Sequence, residues 1–412
     1  MTLLNGVLLV LLLARVICET VLRKLNASYT QNNTKIAKQC GKFMDTRTLQ
    51  RTIAYTLAKN QFALLHLYYE ALLITCILFS GLIPWLLSQH NLLLSSTFKQ
   101  SCTLFLWVTG FGLCFLPLDY FYQFSLEKSF GFNRSTKQLW ISDQVKSIVI
   151  NACIHIPIFA LLFYCIQTFP HTWWILGTLG SFVLQITFMW LYPKLILPLF
   201  NKLTPLEDGS LKTKLDALAQ KAGFKAAAIQ VLDSSKRSLH ANAYCSSLGR
   251  MQRIVLYDTL LKDFTDEEIE AILAHEIGHY KCKHILKMIA FSTFSTLVGL
   301  KACDTLLQNN WFNSQLGIPT ATTSLPLLTL LCICAPLFTY WFHPINNYFS
   351  RRYEYEADMF AKKQSPTCAL HLMQALKKLH KKNLSNLSPH PWFSAFHYSH
   401  PTLFEREQHL FR

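Results

Sequence analysis

Charge is what this chain lacks. Asp, Glu, Lys and Arg make up 15% of its 412 residues, against about 25% in an ordinary soluble domain. So few charges cannot cover the water-facing surface of a chain this long, which excludes a purely soluble multidomain protein. Acidic residues are the scarcer sign, 23 against 39 basic, for a formal net charge of +16. Glycine (14) and proline (15) are sparse too, which excludes collagen-like and linker architectures. Whole-chain disorder is excluded by a hydrophobic content of 51% and an aromatic content of 13%. None of the thirteen cysteines falls in a CxxC pair, the commonest zinc and redox spacing. Cys76, Cys114, Cys153, Cys165, Cys303, Cys332 and Cys334 lie in apolar runs and read as small buried hydrophobes. The basic excess comes without an aromatic-basic patch or a recognisable module, so no nucleic-acid partner is expected.

Long apolar runs are what the chain has instead. Seven stand out, at about 3–22, 62–87, 103–122, 148–169, 173–200, 288–307 and 325–342. About 20 apolar residues in a helix span the hydrocarbon core of a bilayer. The first run has no basic residue ahead of it and no clean A-x-A site, so it reads as a retained span rather than a signal peptide. Arg15 and Glu19 inside it are four apart. They either pair with each other or face a polar interior. His155, in the fourth run, reads as a buried and satisfied side chain.

Basic residues alternate along the connecting segments. Segment 23–60 carries eight, 88–102 one, 123–147 four, 170–172 none, 201–287 thirteen, 308–324 none and 343–412 ten. That is the positive-inside pattern for seven spans with the N-terminus outside and the C-terminus in the cytoplasm. Two cytoplasmic pieces, 201–287 and 343–412, are long enough to fold. In the first, 210–223 has helical spacing ending in Gly223. Residues 229–232 and 254–257 read as short strands. Residues 265–284 read as a helix opened by a capping box, Thr265 with Glu268 three on.

That helix contains His275-Glu276-Ile277-Gly278-His279. Residues four apart share a helix face, so His275 and His279 can offer imidazoles to one ion. Glu276 beside them can take a proton from an activated water. Neutral imidazole suits zinc, and a catalytic site keeps one position open. A third protein ligand is needed. His284 is only five residues on and does not fit the metzincin continuation. The segment Arg351-Arg352-Tyr353-Glu354-Tyr355-Glu356-Ala357-Asp358 supplies a carboxylate instead. Glu354 and Asp358 share a face, and Glu356 points about 200° away. Glu354 is therefore expected as the ligand, with Asp358 orienting an imidazole. The bland alternative is that these acids are solvated partners of Arg351 and Arg352. His240 to Tyr244 precede a strand, and an edge strand near a metal can bind substrate backbone. His371, His380, His390, His409 and His284 read as surface residues.

These residues resemble the type I CAAX prenyl endopeptidases, integral-membrane zinc metalloproteases, over nearly the whole chain. The N-terminal half carries Glu127, Lys128, Gly131, Phe132, Asn133, Arg134 and Thr136, then Trp140 and Asp143, in that family's signature spacing. The other half has Ala241-Asn242-Ala243-Tyr244, a strand ending in Asp258, the HExxH motif, and a tail with His397, His400, Pro401, Glu405 and Arg406. The resemblance implies one zinc ion per chain on His275, His279 and Glu354, with Glu276 as general base. It implies that Asp358 lies hydrogen-bonded at the site as a candidate proton donor. Asn242 would grip substrate backbone, His400 would stabilise the oxyanion, and Arg406 would lie close by at the substrate. It also implies helices arranged around a water-filled chamber. Cys245, Ser246 and Ser247 stand where the family usually has an aromatic residue and a glycine, which bears on substrate side-chain preference.

The expected fold is mainly α: a polytopic membrane protein of about seven transmembrane helices with a cytoplasmic, gluzincin-like α+β zinc metalloprotease domain. Residues 1–200 would form the membrane domain with five spans. Residues 201–412 would form the catalytic domain, including the spans at 288–307 and 325–342. The expected partners are the lipid bilayer and a peptide or protein substrate, prenylated or not, with the chain acting as a monomer. The membrane would be the endoplasmic reticulum in a eukaryote, or the inner membrane in a bacterium. Two rivals remain open from the residues alone: a quality-control protease using the same site, and a channel or transporter with a structural zinc.

Overall fold

The computed structural model describes residues 2–33, 41, 43–89, 96–224, 226–248, 251–309, 314–315 and 324–412. Six helices among them are long and apolar enough to cross a bilayer. In chain order the first seven helices are α1 (Leu3–Asn32), α2 (Thr46–Phe79), α3 (Leu82–Gln89), α4 (Thr97–Leu113), α5 (Leu116–Glu127), α6 (Lys137–Thr168) and α7 (Trp173–Phe200). The third apolar run is the pair α4 and α5, bent by 42°. Pro117 in the first turn of α5 cannot donate to the preceding turn. Counting the bent pair as one span gives the seven expected.

The helices outrun their apolar stretches. α2 has 34 residues, about 51 Å at the α-helical rise, against a hydrocarbon core of about 30 Å. Segment 23–60 is accordingly helix at both ends: α1 runs to Asn32, and Asp45 caps α2 by accepting from Thr48 N at 2.9 Å. On α1, Leu3, Val10 and Ile17 face outward, while Leu8, Leu12, Glu19 and Leu22 are buried. Arg15 does not pair with Glu19. It donates from both terminal nitrogens to Glu70 of α2 at 2.9 Å. Glu19 instead meets Arg23 at 2.5 Å and accepts from Tyr340 at 3.0 Å. These groups line a polar cavity of about 320 Å3. His155 bonds the Asn151 carbonyl at 3.0 Å but lies exposed rather than buried. Of the seven cysteines expected to be buried, only Cys334 is; Cys165 and Cys303 are half-buried, and Cys76, Cys114, Cys153 and Cys332 are exposed.

After α7 the chain builds a four-stranded sheet. Its strands are β1 (Leu203–Pro205), β2 (Ala226–Leu232), β3 (Ala243–Leu248) and β4 (Met251–Tyr257), in the order β1-β2-β4-β3. β2 and β4 pair in parallel, and the outer pairs are antiparallel. The parallel pair holds the two expected strands. β1 and β3 lack the apolar alternation that would have announced them. Helix α8 (Ser210–Lys221) ends at Gly223, whose φ of +59° favours glycine. Then come α9 (Asp266–Lys281), α10 (His284–Leu307), α11 (Leu325–Gln364), α12 (Pro366–Lys382), α13 (Pro391–His397) and α14 (Leu403–Phe411). α11 is one rod of 40 residues. Its first half packs into the bundle and its second half enters the sheet domain, so the seventh span and the Glu354 segment are one element.

The four basic segments meet at one end of the bundle. Met44 of 23–60 is buried in the same cluster as Leu215, Ile269 and Leu372. Arg134 N donates to Arg237 O at 3.0 Å, and His390 N donates to Asn26 Oδ1 at 3.0 Å.

Candidate active site

The site is made where α9 crosses α11. Helix α9 starts with the full reciprocal capping box, Thr265 Oγ1 accepting from Glu268 N and Glu268 Oε2 from Thr265 N. Asp266, Glu267 and Glu268 fill the first turn, where the helix dipole favours negative charge. Ile269, Ile272, Leu273 and Ile277 are buried in the main core. That fixes the rotation of α9 and turns His275 and His279 towards α11.

Gly278 sets the distance between the two helices. A Cβ there would stand 3.0 Å from both Cα and O of Ala357. The backbones touch at this pair, with Ala357 and Ala361 fully buried. Glu354 and Asp358 flank Ala357 as the two histidines flank Gly278. One close contact between two small residues therefore brings four functional side chains together.

The side chains converge tightly. His275 Nε2 lies 3.2 Å from His279 Nε2 and 3.3 Å from Glu354 Oε2, and His279 Nε2 lies 3.2 Å from Glu354 Oε1. His275, His279 and Glu354 could together hold a metal ion. Glu354 Oε2 is buried without a hydrogen-bond partner, an orphan that a cation would satisfy. Burial opposes protonation of His275, but the Asp358 and Glu354 carboxylates outweigh it and raise its pKa to about 9. The site demands positive charge, and its donor set of two imidazoles and a carboxylate suits zinc.

Asp358 is fully buried and accepts from His275 Nδ1 at 2.9 Å. Arg406 donates to both Asp358 oxygens, at 2.9 and 2.5 Å, and lies 3.4 Å from Glu354 Oε2. Its side chain is 7% exposed. Arg406 is thus turned into the protein, not towards a substrate, because two carboxylates consume its guanidinium. Asp358 likewise has both oxygens occupied and meets no open face. The alternative of solvated acids fails for Glu354 and Asp358 on the same facts, and describes only Glu356, which is 34% exposed and lies 3.6 Å from Arg352. Arg351 points elsewhere, donating to the carbonyls of Ser394, Ala395 and Tyr398 at 2.9 to 3.3 Å. It braces the tail that delivers His400, whose Nε2 stands 3.3 Å from Glu354 Oε1 while the ring stays largely exposed. Glu276 is half-buried on the next position of α9.

Asn242 is exposed at the start of β3, an edge strand of the sheet that packs against α9. Its carbonyl accepts from Tyr257 N at 3.1 Å, which anchors the strand start. The side chains of Cys245, Ser246 and Ser247 lie outside the described residues.

The N-terminal signature docks immediately upstream of Asn242. Glu127 accepts from Tyr55 at 2.5 Å and meets His240 Nε2 at 3.3 Å. Phe132 stacks on His240 with centroids 4.1 Å apart. Asp143 accepts from Arg237 Nε and a terminal nitrogen at 2.9 and 3.0 Å. Spacing in the sequence carried no sign of this clamp. It missed His284 as well, which is 2% exposed instead of a surface residue.

Two imidazoles and a carboxylate facing one point, on a domain raised over a bundle of membrane spans, belong to a multi-pass membrane metallopeptidase. The comparisons agree. The chain belongs to peptidase family M48, whose family description matches residues 205–412, while residues 26–202 match the description "CAAX prenyl protease N-terminal, five membrane helices". The chain is 36% identical to CAAX prenyl protease 1 of Saccharomyces cerevisiae, covering 88% of this chain and 85% of that protein. It is 31% identical to CAAX prenyl protease 1 homolog of Homo sapiens, over 95% and 92%. The crystal structure of Ste24p from S. mikatae superposes with a TM-score of 0.90 at 32% identity, covering 100% of this chain and 99% of that one. A metal cofactor follows from the family. The channel or transporter reading is set aside.

Proposed function

We propose that the chain is a zinc endopeptidase that cleaves prenylated proteins close to their C-terminus. The observation that carries it is the convergence of His275 Nε2, His279 Nε2 and Glu354 within 3.3 Å, with the buried Glu354 Oε2 left without a hydrogen bond. Zinc held there would supply an acidified water, with a pKa near ~7, and a Lewis acid for the scissile carbonyl. Glu276 takes the proton of the attacking water and returns it to the leaving amine. His400, exposed on its outer side and braced through Arg351, donates to the developing oxyanion. Asn242 and the edge of β3 hold substrate backbone by strand addition. Asp358 acts on the substrate only through His275, whose tautomer it fixes, and Arg406 holds Asp358 in place.

One zinc per monomer, a membrane part at 1–200 and a catalytic part at 201–412 complete the reading. The convergence of the basic segments at the site's end of the bundle supports a site facing the cytoplasm. The membrane would be the endoplasmic reticulum in a eukaryotic cell and the inner membrane in a bacterium. The prenyl preference rests on the relatives named above.

The test is cleavage by the detergent-purified protein of a farnesylated CAAX peptide beside the same peptide without the lipid, with and without 1,10-phenanthroline. Faster, chelator-sensitive cleavage of the farnesylated peptide is expected. Equal rates on the two peptides would overturn the prenyl preference and favour a quality-control protease. Chelator-resistant cleavage would overturn the metal.

A further inference from the structure

The second histidine of the motif has a partner that the metal set does not explain. His279 faces the metal point with Nε2. A ligating nitrogen carries no proton, so the neutral ring keeps its N–H on Nδ1. That atom lies 3.0 Å from His284 Nδ1. His284 must accept there, which puts its own proton on Nε2. His284 Nε2 lies 3.0 Å from Glu356 Oε2. Each ring has one donor and one acceptor, and only this arrangement satisfies both contacts.

The surroundings hold this chain of contacts still. His284 is 2% exposed and stacks on Tyr353 with centroids 4.4 Å apart and planes at 16°. Lys283 turns the backbone with a left-handed φ of 57°, a conformation that favours glycine. The turn folds His284 back against His279. Lys287 and Arg352 hold Glu356 at 3.3 and 3.6 Å.

We infer that His284 and Glu356 are positioning residues that orient His279 for the metal, as Asp358 orients His275. Three acids of one helix then serve one ion. Glu354 binds it, Asp358 fixes one imidazole directly, and Glu356 fixes the other through His284. This inference rests on the metal set of the proposed function. The competing reading of the same atoms is a second metal site on Cys282, His284 and Glu356, whose ligand atoms lie within 4.8 Å of one another. Two cations already on Glu356 and a proton required on His284 Nε2 argue against it.

The test measures zinc affinity of the full-length, detergent-purified protein by competition with graded chelators, together with the visible spectrum of the cobalt form. His284→Phe keeps the stack on Tyr353 but removes the acceptor. Glu356→Leu removes the terminal carboxylate at a position 34% exposed, so it remains informative if the first variant does not fold. Each is expected to weaken zinc binding about 10- to 100-fold and to shift the cobalt bands. Glu356→Gln, which retains an acceptor, is expected to lose less than Glu356→Leu. Zinc affinity within twofold of the unaltered protein in both His284→Phe and Glu356→Leu would overturn this inference alone. A second zinc equivalent abolished by Cys282→Ser would overturn it in favour of the second site. No zinc on the unaltered protein would overturn the proposed function with it.

Discussion

Glu276→Gln is expected to keep its metal and lose cleavage. Glu276 is not in the group that could hold the ion, which is His275, His279 and Glu354. A neutral amide of the same shape therefore leaves the ligand set intact. It cannot accept a proton from the attacking water, however, and general-base assistance contributes about 10²- to 10⁴-fold to such reactions. The expected result is unchanged zinc content with kcat/KM reduced by that factor on the farnesylated peptide. Cleavage within threefold of the unaltered protein would remove Glu276 from the mechanism. Loss of zinc would show that it supports the ion instead.

Gly278→Ala is expected to damage the site although it does not touch a ligand. Two effects oppose each other. Alanine stabilises an isolated helix by about 1 kcal/mol over glycine. Against that, the new methyl would stand 3.0 Å from Cα and O of Ala357 and 3.2 Å from Cβ of Phe360. The first two neighbours are backbone, so no rotamer change relieves the clash, and overpacking of this kind costs about 1–3 kcal/mol. Steric cost wins, and α9 and α11 separate by a few tenths of an ångström or more. His275 and His279 ride on one helix and Glu354 on the other, so the separation opens the metal set itself. Misplacement of about 1 Å can cost about 10²-fold in rate. Weaker zinc retention against chelator and a fall in kcat/KM of that order are expected, with the larger Gly278→Val worse. Full activity with full zinc content in Gly278→Ala would show that the helices are not held at contact.

The parts legible in the sequence were those that local pattern encodes. Apolar runs of about 20 residues announced the spans, and the alternation of basic segments matches their meeting at one end of the bundle. The capping box and the four-residue spacing placed His275 and His279 on one helix face. The same spacing separated Glu354 and Asp358 from Glu356. Non-local contacts were not legible. Glycine in the middle of a helix reads as a mild destabiliser until Ala357 is seen against it. His284 looked like surface because its burial depends on Tyr353 and on a left-handed turn at Lys283. Arg15 and Glu19 were expected either to pair with each other or to face a polar interior; the second holds, and periodicity, which sees only one helix, could not name Glu70 of α2 as the partner of Arg15. Arg406 was expected at the substrate on resemblance, yet burial and two carboxylates commit it to the site's interior. The signature around Glu127 to Asp143 was recognisable, but its use as a clamp on Arg237 and His240 required both halves of the chain in place.

The central claim is that His275, His279 and Glu354 hold one catalytic zinc ion. Metal analysis by mass spectrometry of the purified protein beside Glu354→Ala and Glu356→Ala tests it most directly. One zinc per chain is expected in the unaltered protein. At micromolar free zinc, Glu354→Ala is expected to hold less than about a tenth of that, and Glu356→Ala to keep its ion with reduced affinity, as expected for loss of an outer partner rather than a ligand. A full equivalent of zinc in Glu354→Ala, or its loss from Glu356→Ala alone, would contradict the assignment.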